Sequence, residues 1–361
     1  MKLVVFGLSV SSSWGNGHAT LWRGLIDALA AQGCRVVFFE HDAPWYAAAR
    51  DVFELPGGGL RLYGTWDEAR REAARELADA DVAMVTSFCP HGVEATALML
   101  DAGRPLRVFY DLDTPVTLAL IEGGREVSAI GPRGLADFDL VLSYTGGRAL
   151  DALRDRLGAR RVAPLYGHVD PALYRPAPPE PRYAADLSYI GTYAEDRQPA
   201  LERLFVEPAR RRPASRFVLA GAQYPPDFPW TDNIFFVRHL PPAEHPAFYA
   251  SSRMTLNVTR AAMAAMGWCP SGRLFEAAAC GACVLSDAWE GLDAFFEPGR
   301  EILIADTTDD ALAALDRPPE ELARIGRAAR ERALAEHASP RRARQLVTLL
   351  EDAAAGARME A

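Results

Sequence analysis

The chain has 361 residues, 49% of them hydrophobic and 24% charged, so its composition is that of a folded globular protein rather than a disordered one. This length exceeds that of a usual single core and predicts two domains. The net charge of −9, with a pI of about 5.4, argues against a nucleic-acid-binding protein, because such proteins need a basic face.

The first residues, MKLVVFGLSV, lack a cleavage site, so we interpret them as a strand rather than a signal peptide. No apolar run approaches ~20 residues, and no transmembrane segment is predicted. The five cysteines lack the spacing of a disulfide framework, and we therefore expect a cytoplasmic protein. Cys280 and Cys283 form a C-x-x-C, which we interpret as packing at a helix-to-strand junction, because a zinc site would need further ligands.

Strands and helices alternate through the first half of the sequence. KLVVFG (2–7) and CRVVFFE (34–40) are short apolar runs typical of strands. Between them, HATLWRGLIDALAAQG places apolar residues at helical spacing and ends at Gly33. This strand–helix–strand unit predicts a parallel sheet, which the later runs DVAMVTSF, LRVFYDLD and FDLVLSYT extend.

A proline-rich segment, GHVDPALYRPAPPEPRYAAD, interrupts the alternation, and we interpret it as a domain boundary. Strands resume with LSYIGTY, RFVLAG, IFFVRHL, MTLNVTR and EILIAD, and two helices near 318–337 and 340–355 close the chain. We therefore predict an α/β protein with two doubly wound Rossmann-like domains facing across a cleft, where such sheets bind ligands. The predicted domains are residues 1–168 and 169–338, with residues 339–361 forming a helix that packs back on the first domain.

The loop SVSSSWGNGHAT follows the first strand and carries Gly15, Asn16 and Gly17 before a helix, where backbone N–H groups can face an anion or an acceptor. The loop is too long for the tight turn of a dinucleotide-binding motif, so we do not expect NAD(P). Glu40 nevertheless ends the second strand, where such enzymes place a ribose-binding acid. His18 is either an active-site group or a helix cap.

Two further strand ends in the first half carry polar side chains. YDLDTP contains Asp111 and Asp113, a D-x-D that binds a metal in other folds. Because Asp113 precedes Thr-Pro, we favour a turn-forming role and predict no metal site. His91, in CPHGVE, either lines the acceptor side or caps the next helix. We take His18, His91 and Asp111 as candidate catalytic bases or acceptor contacts.

The second half collects glycine, histidine and arginine residues at strand ends and at one helix start. Ser271 is a good N-cap, and the backbone donors behind it, together with Arg273, would suit a diphosphate. Because Lys2 is the only lysine of the chain, other cations must be arginines, which bind phosphate through two parallel hydrogen bonds. The predicted donor-binding residues are Gly191, Thr192, Arg197, Gly221, His239, Arg260, Ser271, Gly272, Arg273 and Glu276.

Glu276 lies in GRLFEAAAC, a run that predicts a buried helix, and a buried carboxylate without a partner is costly. One explanation is functional: its two oxygens accept the vicinal hydroxyls of a ribose. The other is structural: Arg273, one turn earlier, forms an ion pair with it. Sequence spacing leaves both explanations open.

Three segments of the chain resemble a known family. GRLFEAAACGACVLSDAWEGLDAFFEPGREILI resembles the nucleotide-sugar motif of two-domain, GT-B fold glycosyltransferases. LYGHVDPALYRP resembles their interdomain segment, and GNGHATLWRGLIDALAAQGCRVVFFE resembles their first βαβ unit. Within that fold the chain most closely resembles the CgeB-like spore-maturation glycosyltransferases.

The resemblance implies that Glu276 binds the donor ribose and that the diphosphate is held by a basic pair drawn from Arg197, Arg260 and Arg273. Trp268 stands where retaining enzymes with an E-x7-E motif carry a second glutamate, eight positions before Glu276. The family's sugar-contacting acid is therefore missing here, and the choice between retention and inversion stays open.

The resemblance further implies a cytoplasmic, hexosyltransferase-like enzyme that moves a sugar from a nucleotide diphosphate donor to a small-molecule, glycan or protein acceptor. We expect a UDP-sugar donor in the C-terminal domain, an acceptor in the N-terminal domain, and neither cofactor nor metal. Two alternatives stay open: a nucleotide-sugar epimerase on the same fold, and a non-catalytic sugar-nucleotide-binding or spore-surface protein. Trp268 argues against the epimerase, which would need several acids and a histidine at the donor sugar.

Overall fold

The computed structural model describes residues 1–14 and 17–360, with side chains up to Ala357. The chain divides into two compact units. Unit 1 comprises Met1–Tyr166 together with the C-terminal segment that begins at Ser339, and unit 2 comprises Gly167–Ala338.

Unit 1 is built on a parallel sheet whose five inner strands are almost entirely buried, as is typical of parallel sheets that are covered on both faces. The strands are β1 (Lys2–Gly7), β2 (Arg35–His41), β3 (Gly59–Tyr63), β4 (Val82–Thr86), β5 (Leu106–Asp111), β6 (Leu140–Ser143) and β7 (Val162–Pro164). They pair in the order β3-β2-β1-β4-β5-β6-β7, which is the doubly wound order.

The first helix forms where the apolar spacing predicted it, and further helices cover the sheet of unit 1. The helices are α1 (His18–Ala31), α2 (Pro44–Ala47), α3 (Trp66–Ala78), α4 (Gly92–Ala102), α5 (Thr114–Glu122), α6 (Arg148–Leu157) and, from the end of the chain, α14 (Ser339–Glu360). The indole of Trp22 on α1 packs edge-on against Phe38 and Tyr110, with ring centroids 5.5 and 6.1 Å apart. Helix α14 is tied to this unit, because Gln345 donates to the carbonyl oxygen of Pro164 at 3.3 Å.

Unit 2 repeats the same topology. Its strands are β8 (Ala185–Ile190), β9 (Phe217–Gly221), β10 (Ile234–Arg238), β11 (Ser252–Asn257), β12 (Val284–Ser286) and β13 (Leu303–Ile304). They pair in parallel in the order β10-β9-β8-β11-β12-β13. Both sheets are therefore doubly wound, and the predicted α/β class with two Rossmann-like sheets is confirmed.

The helices of unit 2 connect these strands. They are α7 (Gln198–Leu201), α8 (Glu207–Arg211), α9 (His245–Ala250), α10 (Ala261–Met266), α11 (Gly272–Ala279), α12 (Thr308–Leu315) and α13 (Pro319–Glu336). A single π-helical turn, Glu202–Val206, continues α7 into α8. In the proline-rich segment that opens the unit, Val169 forms a parallel bridge with Ala338, and its N–H donates to the carbonyl oxygen of His337 at 2.9 Å.

Cys280 and Cys283 occupy the junction between α11 and β12, where both are buried and unoxidised. Burial raises the pKa of each thiol to about 12, so neither is a reactive thiolate. The interpretation of the C-x-x-C as junction packing is confirmed. Within residues 1–14 and 17–360, no helix is long and apolar enough to cross a bilayer.

Candidate functional site

The carboxyl ends of the unit 2 strands bring the predicted donor-binding residues to one edge of the sheet. Gly191 and Thr192 follow β8, Gly221 ends β9, and His239 follows β10. Because β8 lies between β9 and β11, these turns are neighbours. The N–H of His239 donates to the carbonyl oxygen of Gly221 at 2.9 Å, which joins two of the turns directly.

Two glycines allow these turns to pack closely. A Cβ atom at Gly221 would lie 2.0 Å from the carbonyl oxygen of Gly191. A Cβ atom at Gly191 would lie 2.7 Å from the Tyr189 hydroxyl and 2.9 Å from Nη2 of Arg273. The turns therefore require glycine at both positions. Because residue 191 has no side chain, its main chain lies directly next to the Arg273 guanidinium.

Arg273 lies in the first turn of α11, whose N-cap is Ser271: the Ser271 hydroxyl accepts from the Arg273 N–H at 3.2 Å. Nε of Arg273 donates to the carbonyl oxygen of Ile190, and Nη1 donates to Oδ1 of Asn257 at 2.8 Å. The guanidinium also lies 5.0 Å from the centre of the Tyr189 ring. Nη2 has no protein partner among the described residues and faces the bare main chain at Gly191.

A hydrogen-bond network behind Arg273 holds Asn257 in place. The Asn257 amide donates to the Ser286 hydroxyl at 3.0 Å and to the Thr259 hydroxyl at 3.4 Å. The Thr259 hydroxyl in turn donates to Asp287 at 3.0 Å. Burial raises the pKa of Asp287. The sequence analysis missed this network; the only signal was polar residues at the ends of two buried strands, in LNVT and LSD.

Arg197 and Arg260 differ in whether their positive charge is already paired with an acidic side chain. Nη1 of Arg197 donates to the carbonyl oxygen of Thr192 at 3.0 Å, and its Nε is buried without a protein partner. Arg260 instead forms an ion pair with Asp196 at 3.2 Å. Of the three candidate arginines, Arg197 and Arg273 are anchored by main-chain oxygens and keep N–H groups for a ligand.

Glu276 does not pair with Arg273, so the structural explanation offered by sequence spacing is wrong. No ion pair between the two is found in the part of the chain that the structure describes, because Arg273 reaches back to the ends of β8 and β11. Oε2 of Glu276 instead lies 3.5 Å from the Tyr249 hydroxyl and 3.9 Å from Nδ1 of His245. The Tyr174 hydroxyl also interacts with this carboxylate.

The surroundings of Glu276 are apolar and phenolic. Burial raises the pKa of Glu276, while the charge of Arg273 and the hydroxyls of Tyr174 and Tyr249 oppose that rise. Burial lowers the pKa of His245 to about 4, so its imidazole is neutral at pH 7. Its Nε2 lies 3.2 Å from the carbonyl oxygen of Leu240, which places the proton on Nε2 and leaves Nδ1 as an acceptor.

Trp268 precedes α11 in a left-handed conformation, with a φ of 51°. Its N–H donates to the carbonyl oxygen of Glu290 at 2.7 Å, and its ring covers Gly291, where a Cβ atom would come within 2.5 Å of the indole. The residue at the position of the expected glutamate is therefore a half-buried indole with a defined packing, and not an acid.

In unit 1 the structure joins His18 to an aspartate that the sequence analysis assigned only to a turn. Nε2 of His18, the first residue of α1, lies 2.8 Å from Oδ2 of Asp113. Since the carboxylate accepts, Nε2 carries the proton in the neutral imidazole. The neighbouring Phe88, after β4, has a φ of 61°, an uncommon conformation for a large side chain that is often found at functional sites.

Asp111 shapes the turn that presents Asp113. Its Oδ1 accepts from the Asp113 N–H at 3.0 Å and from the Thr117 hydroxyl at 3.1 Å, while its Oδ2 is buried without a partner. Burial raises the pKa of Asp111 to about 6. The D-x-D therefore has the geometry of a turn. No group of three or more His, Cys, Asp or Glu side chains suited to a metal occurs among residues 1–14 and 17–360.

The other predicted residues of unit 1 are accounted for as follows. His91 occupies the N-cap position of α4, but its side chain does not cap the helix. Its Nδ1 lies 3.3 Å from the Tyr63 hydroxyl, and its ring stacks on Trp66. Gly17 is the N-cap of α1, whereas Gly15 and Asn16 lie outside the described residues.

Glu40 is engaged by the loop that follows β1. Its carboxylate accepts from the N–H groups of Val10 and Ser11 at 2.7 and 2.9 Å and from the Ser11 hydroxyl at 2.6 Å. These bonds use both oxygens of Glu40 to hold Val10 and Ser11, which follow β1. Glu40 is therefore a loop-anchoring residue in this structure.

Comparison with known proteins agrees with this architecture. Residues 197–348 match the model of a family described as glycosyl transferase-like, a segment that includes Arg197, Arg273 and Glu276. No curated protein sequence matches the chain.

Several solved structures share the fold along nearly the whole chain. Sucrose-phosphate synthase from Thermosynechococcus elongatus is 15% identical, with a TM-score of 0.69, and the match covers 99% of this chain and 100% of that one. HepE from Anabaena, solved with UDP-glucose, is 13% identical, with a TM-score of 0.67 and coverage of 98% and 100%. Starch synthase IV from Arabidopsis thaliana, solved with ADP and acarbose, is 12% identical, with a TM-score of 0.65 and coverage of 98% and 99%. These likenesses show that the chain has the GT-B glycosyltransferase fold.

Proposed function

We propose that the chain is a glycosyltransferase that moves a sugar from a nucleotide diphosphate donor, with UDP as the nucleotide, to an acceptor hydroxyl. One observation carries the proposal. Glu276 and Arg273 lie one turn apart on α11; the carboxylate has phenol neighbours but no ion-paired arginine, and Nη2 of Arg273 keeps no protein partner among the described residues. An anionic acceptor and a cationic donor at one helix start match a ribose joined to a diphosphate.

The chemistry of these residues suits the leaving nucleotide. Negative charge builds on the diphosphate as the bond to the sugar breaks. Arg273, Arg197 and the first N–H groups of α11 are fixed before that charge appears, so they need little rearrangement to stabilise it. The same groups would do this without a metal, and we propose a metal-independent reaction without a cofactor.

In unit 1, we propose that His18 serves the acceptor. The Asp113 carboxylate, 2.8 Å from Nε2, holds the imidazole in one tautomer and one orientation. A histidine so held can remove the proton of an acceptor hydroxyl as the hydroxyl oxygen attacks the sugar. Asp111 supports this pair through the turn, and His91 is the weaker candidate because it is engaged by aromatic neighbours.

The narrower assignments are proposals of the same kind. Hexosyl transfer and membership of the CgeB-like group are supported by the resemblance of the segment around Arg273 and Glu276. Location in the cytoplasm is supported by the composition and the cysteine pattern.

The test is to incubate the purified chain with UDP-glucose and other UDP-sugars and to follow UDP release with and without candidate acceptors. We expect release with at least one UDP-sugar. UDP at 100 times its Kd should also stabilise the fold by about 2.7 kcal/mol in a thermal-shift experiment. Stabilisation without any release would favour the non-catalytic binding protein, and an absence of both would contradict the proposal.

A further inference from the structure

Tyr249, His245 and Tyr174 lie around the carboxylate of Glu276. The Tyr249 hydroxyl lies 3.5 Å from Oε2, and Nδ1 of His245 lies 3.9 Å from the same oxygen. Tyr174 places its hydroxyl 3.2 Å from Nδ1 of His245. Tyr249 is fully buried and Tyr174 nearly so, so both hydroxyls are held by the core.

The direction of each hydrogen bond follows from the tautomer of His245. Because Nε2 carries the proton toward the carbonyl oxygen of Leu240, Nδ1 can only accept, and the Tyr174 hydroxyl donates to it. His245 therefore offers no proton to Glu276. The Tyr249 hydroxyl, which has no other hydrogen-bond partner among the described residues, donates to Oε2 at 3.5 Å, and the Tyr174 hydroxyl also interacts with the Glu276 carboxylate.

When one oxygen of a carboxylate is held in place, the position of the other oxygen is also restricted. Glu276 lies on the first turns of α11 with no cation bound to it, and its side chain could rotate about its terminal bonds if Oε2 were not held. A buried phenol is a stiff donor, since its ring cannot move without disturbing the packing. Holding Oε2 thus fixes the direction in which Oε1 points.

We propose that Tyr249 is a positioning residue for recognition of the ribose, supported by Tyr174 through His245. It holds Oε2 of Glu276 so that Oε1 is directed at the ribose hydroxyls. This inference rests on the proposed function, because it takes Glu276 as the ribose contact. It adds that discrimination of the ribose 2′-hydroxyl depends on a phenol that itself does not contact the ligand.

The experiment compares UDP with 2′-deoxy-UDP in the full chain, the Tyr249→Phe variant and the Tyr183→Phe variant. Tyr183 is a matched control, because it is a buried tyrosine of the same unit whose hydroxyl donates to another carboxylate, Glu244. We expect the unmodified chain to bind UDP about 10-fold more tightly than 2′-deoxy-UDP. In Tyr249→Phe, UDP binding should weaken about 5- to 10-fold while 2′-deoxy-UDP binding changes less than about twofold. Tyr183→Phe should leave both affinities unchanged.

The outcomes separate this inference from the function on which it rests. If the unmodified chain fails to bind UDP, or binds the two nucleotides equally, Glu276 does not bind the ribose. Tyr249 then has no positioning role in ribose recognition either. If the unmodified chain discriminates and Tyr249→Phe keeps the same ratio, the positioning role alone is wrong. If Tyr249→Phe is not folded at the assay temperature, the ratio measured in Tyr174→Phe decides: a reduced ratio supports the proposal, and an unchanged ratio overturns it.

Discussion

Burial of Glu276 disfavours the charged form of its carboxylate, and this free-energy cost is informative about the role of the residue. Two phenols and the nearby charge of Arg273 favour its ionised form, yet burial outweighs them and raises its pKa. A residue kept only for stability would be better served by a neutral side chain at this position. The disfavoured charge is consistent with the proposed task, which is to accept hydrogen bonds from the ribose hydroxyls.

Glu276→Gln should separate function from stability. The amide keeps the volume but turns one acceptor into a donor, so UDP affinity should fall by about 10- to 150-fold. Because the raised pKa disfavours the charge, the melting temperature without ligand should stay the same or rise. Calorimetric titration and a thermal melt on the same sample measure both, with the exposed Glu297→Gln as a control. A large drop in melting temperature with unchanged affinity would contradict the functional role.

The raised pKa of Asp111 predicts that the free energy of unfolding decreases as the pH rises. Its pKa of about 6 in the folded chain exceeds its ordinary value of 3.8, so the folded state holds the proton more tightly than the unfolded state. The stability that this group contributes is present in acid and is lost as the pH rises through about 4 to about 6.

Asp111→Asn isolates this contribution, because the amide oxygen can still accept from Asp113 and Thr117. The unfolding free energy of the unmodified chain, minus that of the variant, should fall by about 2 kcal/mol between about pH 4 and about pH 7. Urea titrations at several pH values measure it. A difference that is constant with pH would show that Asp111 does not titrate in this range.

At the scale of elements, the start of α11 contacts the ends of two strands, β8 and β11. Arg273 spans from the helix to β8 and β11, and Gly191 lets the β8 turn approach the guanidinium. The turn after β8 also anchors Arg197 through the Thr192 carbonyl oxygen. The two arginines thus belong to different elements that converge on the same place, which a diphosphate with two charged groups can bridge.

Arg197→Ala and Arg273→Ala should each weaken UDP binding by about 1.5–3 kcal/mol, the cost of a charged hydrogen bond. Uridine, which lacks the diphosphate, should bind almost unchanged. Arg260→Ala is the matched variant, and its effect should be smaller because Asp196 already neutralises that charge. Competition binding with the two ligands measures all three. An equal loss for UDP and uridine would mean that the arginines hold the turns in place instead.

The whole molecule contains two sheets of the same doubly wound order, and the elements that build them are local in sequence. Apolar runs that end in glycine become strands, and apolar spacing such as that of α1 becomes a helix, so the fold class could be predicted. The N-cap at Ser271 could be predicted for the same reason.

The pairing of His18 with Asp113 could not be predicted from the sequence, because it joins residues 95 positions apart. Tyr249 and His245 gave no signal either, since aromatic residues in a buried helix usually serve packing.

At the scale of the whole chain, we expect the proposed sugar transfer to continue in the presence of EDTA. The reasons are that Asp111 and Asp113 are engaged in a turn and with His18, and that arginines and a helix start suit the leaving diphosphate. UDP release is measured in EDTA and again after addition of Mg²⁺ or Mn²⁺. Complete loss in EDTA with recovery on adding either ion would contradict a metal-independent reaction.

Helix α14 belongs to unit 1 although unit 2 separates it from the rest of that unit in sequence. In the order of the chain, unit 2 is an insertion, and the bridge between Val169 and Ala338 brings its entry and exit points together. A short glycine-serine linker from residue 166 to residue 339 should therefore give a self-contained module that melts cooperatively. Residues 1–166 alone should aggregate, because the buried face of α14 (Ala343, Leu346, Leu350 and Ala353) would be missing from their core. Unit 2 could then be exchanged for a related insertion, which would transplant nucleotide recognition without altering the core of unit 1.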